Sequence, residues 1–144
     1  MPAENPPILI DSSVWIAGQR DPQRFRELIA AKNDLATCDA AVGEFRVGLF
    51  APREKATREQ VREFFEASVE PLARYPHFPE DFAEAARLIG EAIFASKAKP
   101  SFPDGLIAAV ARRTGRVVWT RDETDFKAMG CRVENPFSEH PPAQ

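Results

Sequence analysis

The run Ile8-Leu9-Ile10-Asp11-Ser12-Ser13 constrains the fold more than any other stretch of the chain. Three consecutive aliphatic residues show no alternation, so both faces of the segment they form must be covered. A short strand of that kind belongs to a parallel sheet with helices above and below it. The run then stops on one carboxylate and two hydroxyls. In open α/β sheets, the position just past a strand's carboxyl end is where chemistry is placed. Asp11 therefore carries two readings. It is a helix N-cap for the turn through Val14-Trp15-Ile16, or an acidic group held rigidly at the sheet edge.

The remaining chain alternates helical and strand signals. Asp21-Pro22 reads as an N-cap with proline at the first helical position, and Phe25, Leu28 and Ile29 carry that helix to about Lys32. Asn33-Asp34 turns the chain into a short strand, Leu35 to Cys38. Asp39 then opens a helix whose Val42, Phe45 and Leu49 share a face. A charged amphipathic helix spans roughly Glu54 to Ser68, burying Val61, Phe64 and Phe65. Val69-Glu70-Pro71-Leu72 reads as an edge strand, because proline cannot donate to a central ladder. The next helix runs from Pro79 to about Ser96 with Phe82, Ala85, Ala86, Ile89 and Ile93 inward. Asp104 opens an apolar helix, Gly105 to Arg113, that Gly115 ends. Arg116 to Thr120 and Cys131 to Glu134 complete the strands, joined by the acidic loop 121–125.

Strands alternating with helices predict one α/β domain over residues 1–135, followed by a loose tail from Pro136 to Gln144. Its 144 residues suffice for a real core. Net charge is −3, so a nucleic acid would have to be met through a local basic patch or a metal ion. Cys38 and Cys131 are too far apart in sequence for a thiolate metal site or a disulfide framework, which fits a reducing cytoplasm. His77 and His140 sit among prolines and read as surface residues. No stretch is long and apolar enough for a membrane span.

The informative acids are those at strand ends, helix starts and within apolar helices. Asp11 ends a buried strand. Glu44 rides on an otherwise apolar helix, where the competing reading is a solvated face. Asp104 lies at a helix start, also an N-cap position. Asp122 and Asp125 follow the strand ending at Thr120. Two carboxylates 4 Å apart repel by about 4 kcal/mol at an effective dielectric of about 20. Four could share a pocket only with protons or cations between them. All-oxygen ligands without Cys or His select hard cations such as Mg2+ or Mn2+, which can activate water against a phosphodiester.

Taken together, four segments resemble the PIN domain family. They are Ile8 to Ile16, Ala41-Val42-Gly43-Glu44-Phe45-Arg46-Val47-Gly48-Leu49, Pro103-Asp104-Gly105-Leu106-Ile107-Ala108-Ala109-Val110-Ala111 and Thr120-Arg121-Asp122-Glu123-Thr124-Asp125-Phe126. The short length and the Leu-Ile-Ala-Ala helix are most similar to the VapC toxin branch. The resemblance implies a five-stranded parallel sheet in order 3-2-1-4-5. It also implies that Asp11, Glu44, Asp104 and Asp122 are metal ligands, with Asp125 an additional acid and Ser12 and Thr120 supporting them by hydrogen bonds. The activity implied is Mg2+- or Mn2+-dependent cleavage of single-stranded RNA. The partners implied are a cognate VapB-like antitoxin and a second copy of the chain in a homodimer.

Lys97, Lys99, Arg46 and Arg121 are candidates for phosphate contacts with RNA, each equally readable as solvated charge. Two rivals stand beside the nuclease. A catalytically silent PIN-fold module would bind RNA or protein without holding a metal. A phosphoacceptor α/β protein needs clustered acids at the first strand, and Asp11 is followed instead by Ser12 and Ser13.

Overall fold

The computed structural model describes residues 5–32 and 34–138 of the chain. Strand β1 (Ile8–Ile10) lies at the centre of a five-stranded sheet in the order β3-β2-β1-β4-β5. Its neighbours are β2 (Leu35–Cys38) and β4 (Val117–Trp119), and the outer strands are β3 (Ala73–Tyr75) and β5 (Val133–Glu134). Every pairing is parallel, with Ile8 opposite both Leu35 and Val117. Ile8, Leu9 and Ile10 are fully buried. Successive side chains on a strand point to opposite faces, so the sheet is covered on both. Each of these side chains contributes about 1.5–3 kcal/mol by leaving water.

Among the described residues, seven helices connect and cover the strands: α1 (Ser12–Arg20), α2 (Pro22–Ala30), α3 (Asp39–Phe50), α4 (Lys55–Ser68), α5 (Pro79–Phe94), α6 (Phe102–Thr114) and α7 (Glu123–Ala128). Asp21 caps α2 by accepting from Arg24 N, with Pro22 at the first helical position as the sequence indicates. Aromatic rings stitch the first four helices together. Trp15 meets Phe45 edge-on at 5.6 Å, Phe25 packs on Phe64 at 5.4 Å, and Phe45 stacks on Phe65 at 6.2 Å. Helix α6 is buried along most of its length, from Gly105 to Ala111. It stops at Gly115, whose φ of 69° lies in the left-handed region that favours glycine.

Several local expectations shift. A nine-residue helix, α1, occupies the place where the sequence signals only a turn after Asp11. The third strand is Ala73–Tyr75 instead of Val69–Leu72. Val69 is buried at the end of α4 and Leu72 N bonds to Val69 O, so the Pro71 segment is the turn into the strand. The strand still lies at a sheet edge. Helix α5 buries Asp81, Ala85, Leu88 and Ala92, while Phe82 and Ile93 are 48% and 47% exposed and Ala86 is also outward. The inward face is turned because Arg113 of α6 draws Asp81 in, with Arg113 Nε to Asp81 Oδ1 at 2.9 Å. His77 is not a surface residue either; its side chain is only 8% exposed. His140 and most of the expected tail lie outside the described residues. Of that tail, Phe137 lies beneath the Arg24 guanidinium, 5.5 Å away.

Candidate metal centre

The carboxyl edge of the sheet is where the acids gather. Asp11 continues β1 by one residue, its N–H bonded to Trp119 O at 2.9 Å. Its backbone is extended and its carboxylate makes no capping bond to α1, so the N-cap reading of this side chain fails. Instead, Oδ2 accepts from Ser13 Oγ at 2.7 Å and from Thr120 Oγ1 at 3.0 Å. Each hydroxyl in turn accepts a backbone N–H, Ser13 from Arg121 and Thr120 from Asp122. A hydroxyl that already accepts must point its proton elsewhere, and here that is toward Asp11. These bonds tie β1 to the loop after β4. The other oxygen, Asp11 Oδ1, is buried with no hydrogen-bond partner.

Glu44 and Asp104 come to the same place from α3 and α6. Glu44 stands on the open side of α3, clear of its buried Val42 and Phe45, and Oε1 accepts from Ser12 Oγ at 3.4 Å. Asp104 does not cap α6. Ser101 does so, accepting from Asp104 N at 3.2 Å, which places Asp104 in the first turn of the helix. Asp122 caps α7 by accepting from Asp125 N.

Two groups of acids result. Asp11, Glu44 and Asp104 each bring one oxygen within 4.8 Å of the others, and Asp104, Asp122 and Asp125 do the same. Asp104 belongs to both groups, so it is the geometric hub, where the sequence points to Asp11 at the switch point between β1 and β4.

At 4.8 Å two full charges repel by about 3.5 kcal/mol at an effective dielectric of about 20. The protonation equilibria register this crowding. Burial, then the charges of Asp11 and Glu44, push the Asp104 carboxyl up to about 7. Glu44 is raised by burial and by Asp11. Asp125 is raised by burial and by Asp122. Burial raises Asp11 as well, while the Ser13 and Thr120 hydroxyls pull it back down. A buried oxygen without a partner, beside carboxylates that resist joint ionisation, fits a hard divalent cation held by oxygen ligands.

The basic candidates have varied surroundings, and only Arg121 is tied to the cluster, through its N–H to Ser13 Oγ. Arg46 lies over the Phe65 ring at 5.3 Å. Lys97 borders a recess with Arg87, Glu91 and Arg112, which contains none of the acids. Lys99 and Arg121 are exposed. Two supporting residues escaped the sequence reading. Ser13 had a signal in the doubled hydroxyl after Asp11, and Ser101 had one in the Ser-x-x-Asp spacing of a helix start.

A parallel α/β sheet whose carboxyl edge gathers carboxylates from two strand ends and from α3, α6 and α7 defines a class of α/β domains with an acidic cluster compatible with a bound cation. The chain belongs to the PIN domain family, whose model matches residues 8–130. Among solved structures it is similar to FitAcB from Neisseria gonorrhoeae, with 26% identity, 92% of this chain and 99% of that one covered, and a TM-score of 0.77. It is also similar to VapBC-5 from Mycobacterium tuberculosis, a member of the VapBC family of toxin-antitoxin systems. There the identity is 26%, the coverage 90% and 97%, and the TM-score 0.66. VapC20 of Mycobacterium tuberculosis, a sarcin-ricin loop cleaving toxin, shares the fold at 17% identity, 86% and 95% coverage and a TM-score of 0.65. No curated protein matches the chain.

Proposed function

We propose that this chain is a divalent-metal-dependent endoribonuclease acting on single-stranded RNA, the toxin of a toxin–antitoxin pair. The observation that carries this reading is the pair of acidic triads joined at Asp104. Asp11, Glu44 and Asp104 would hold one Mg2+ or Mn2+, and Asp122 and Asp125 would complete the second group. Bound there, the cation supplies an activated water and polarises a phosphoryl oxygen. Ser13 and Thr120 aim Asp11 and favour its ionised form against the effect of burial, as outer hydrogen bonds to metal ligands commonly do. Asp104 gives up its proton when the site is loaded, because a carboxylic acid does not ligate as well as a carboxylate. Arg121, next to the cluster in sequence, is the basic candidate best placed for a substrate phosphate.

The neighbours support the partner reading: VapBC-5 is from a toxin–antitoxin family, and VapC20 is a toxin that cleaves the sarcin-ricin loop. By that likeness the chain pairs with an antitoxin, while work in the cytoplasm and a homodimer are what the resemblance of its motifs implies. The described residues contain no helix long and apolar enough to cross a membrane. The test is cleavage of single-stranded RNA by the wild type, Asp11→Asn and Asp104→Asn, each with Mg2+ and with chelator. Cleavage by the wild type with Mg2+ alone is expected. Full activity in either variant, or in chelator, overturns the proposal.

A further inference from the structure

We propose that His77 is a positioning residue for the carboxylate cluster: from the loop between β3 and α5 it caps the first turn of α3 and thereby fixes Glu44. The inference rests on reading Glu44 as a metal ligand. Helix α3 begins after Cys38, whose side chain makes no capping bond. The first amides of a helix have no partners within it and ordinarily take them from a nearby Ser, Thr, Asp or Asn. Here the second residue, Ala40, donates its N–H to His77 Nε2 at 3.0 Å, across 37 positions of sequence. Glu44 follows Ala40 by four residues, about one helical turn. A start of α3 that frays therefore displaces the carboxylate that must meet Asp11 and Asp104.

The imidazole is held for this task. Because Nε2 accepts, the ring proton of neutral His77 resides on Nδ1. Nδ1 is buried without a hydrogen-bond partner and lies 3.9 Å from Asp81 Oδ2. Asp81 is itself fixed by Arg113 Nε, Arg113 Nη2 and Phe78 N. The charged groups facing the ring are Asp39 of α3, Asp81 of α5 and Arg113 of α6, and Asp39 is ion-paired with Arg74 of β3 at 3.0 Å. Phe82 presents its ring at 6.5 Å. A protonated imidazole has no acceptor, so the cap exists only while His77 is neutral. Burial lowers the basicity of His77, which Asp81 and Asp39 counter.

Two measurements on the full chain test the proposal. The first is amide hydrogen exchange of Ala40 in chelator between about pH 5 and 8, corrected for intrinsic rates. The second is Mn2+ affinity by calorimetry near pH 7.5. Both are made on wild type, His77→Ala, His77→Gln and Glu44→Gln. Ala40 exchange in the wild type should accelerate roughly fivefold as His77 takes its proton, the ratio expected for a lost cap. It should be fast at every pH in His77→Ala. In His77→Gln, whose amide oxygen can accept without titrating, it should be slow and flat. Mn2+ affinity should fall severalfold in His77→Ala and recover in His77→Gln. Ala40 protection that ignores both pH and His77→Ala overturns the cap. If His77→Ala does not fold, the wild-type pH series and the flat His77→Gln profile decide the same point. Lost protection with unchanged Mn2+ affinity overturns the positioning role, while weakened binding in Glu44→Gln leaves the metal centre standing. Unchanged binding in Glu44→Gln overturns Glu44 as a ligand, and the positioning role with it.

Discussion

Replacing Asp104 by asparagine removes one charge from a cluster that repels itself when no cation is bound. The folded chain raises this carboxyl from 3.8 to about 7. At 1.36 kcal/mol per unit, that corresponds to about 4 kcal/mol against the ionised form. Asp104 is only partly buried, and solvent screening reduces the figure to about 2 kcal/mol. The sign follows from proton linkage. A raised carboxyl binds its proton more tightly in the folded chain than in the unfolded one. The contribution of Asp104 to metal-free stability is therefore greatest below about pH 4, falls as pH rises toward about 7, and is level above that. Asparagine resembles the neutral acid. In chelator near pH 8 the variant should melt about 4–8 °C above the wild type, and near pH 4 the two should coincide. Excess Mn2+ should reverse the order, since a ligand at a hundred times its Kd stabilises the wild type by about 2.7 kcal/mol. Thermal unfolding by circular dichroism reads all three conditions. A variant no more stable than wild type in chelator near pH 8 would mean that the acids do not crowd one another, and the reasoning would fail.

Metal binding near pH 6 should release more protons than near pH 8, because Asp104 is still partly protonated at the lower value; calorimetry in buffers of different ionisation enthalpy measures this directly. Ser13→Ala removes a 2.7 Å bond to Asp11 and the acceptor for Arg121 N, and should cost about 1 kcal/mol in urea unfolding together with a measurable drop in Mn2+ affinity. Unchanged affinity would reduce Ser13 to a purely structural role. Arg113→Met leaves Asp81 buried with its partner gone and should cost about 3 kcal/mol by the same assay, less if Asp81 is changed to asparagine at the same time. Gly105→Ala places a methyl 2.7 Å from Ile89 Cδ1 and 3.1 Å from Ala85 Cβ, so it should lose about 1–3 kcal/mol; a neutral result would show that α5 can move off α6 freely.

Reading the fold from sequence worked where a local pattern was the cause. Ile8 to Ile10 allowed only a doubly covered strand, and Gly115 and Asp21-Pro22 marked helix ends that the structure keeps. It failed where a distant residue overruled the local pattern. The apolar stripe of α5 points to Phe82 and Ile93, but the ion pair between Asp81 and Arg113 turns the helix so that both are left about half exposed. His77 looked solvated among prolines, and it is the amide of Ala40 that draws it inside.

The sequence by itself determined the class of sheet and the strand after which the first acid falls. Those depend on residue type and on neighbours a few positions away. Only the tertiary structure decided that Asp104, and not Asp11, joins the two acidic groups, that Ser13 holds the Asp11 carboxylate, and that Ser101 takes over the cap of α6 from Asp104. Convergence is a property of the parallel crossovers that bring β1, β4, α3 and α6 to one edge. No spacing along the chain encodes an approach to within 4.8 Å between groups so many residues apart.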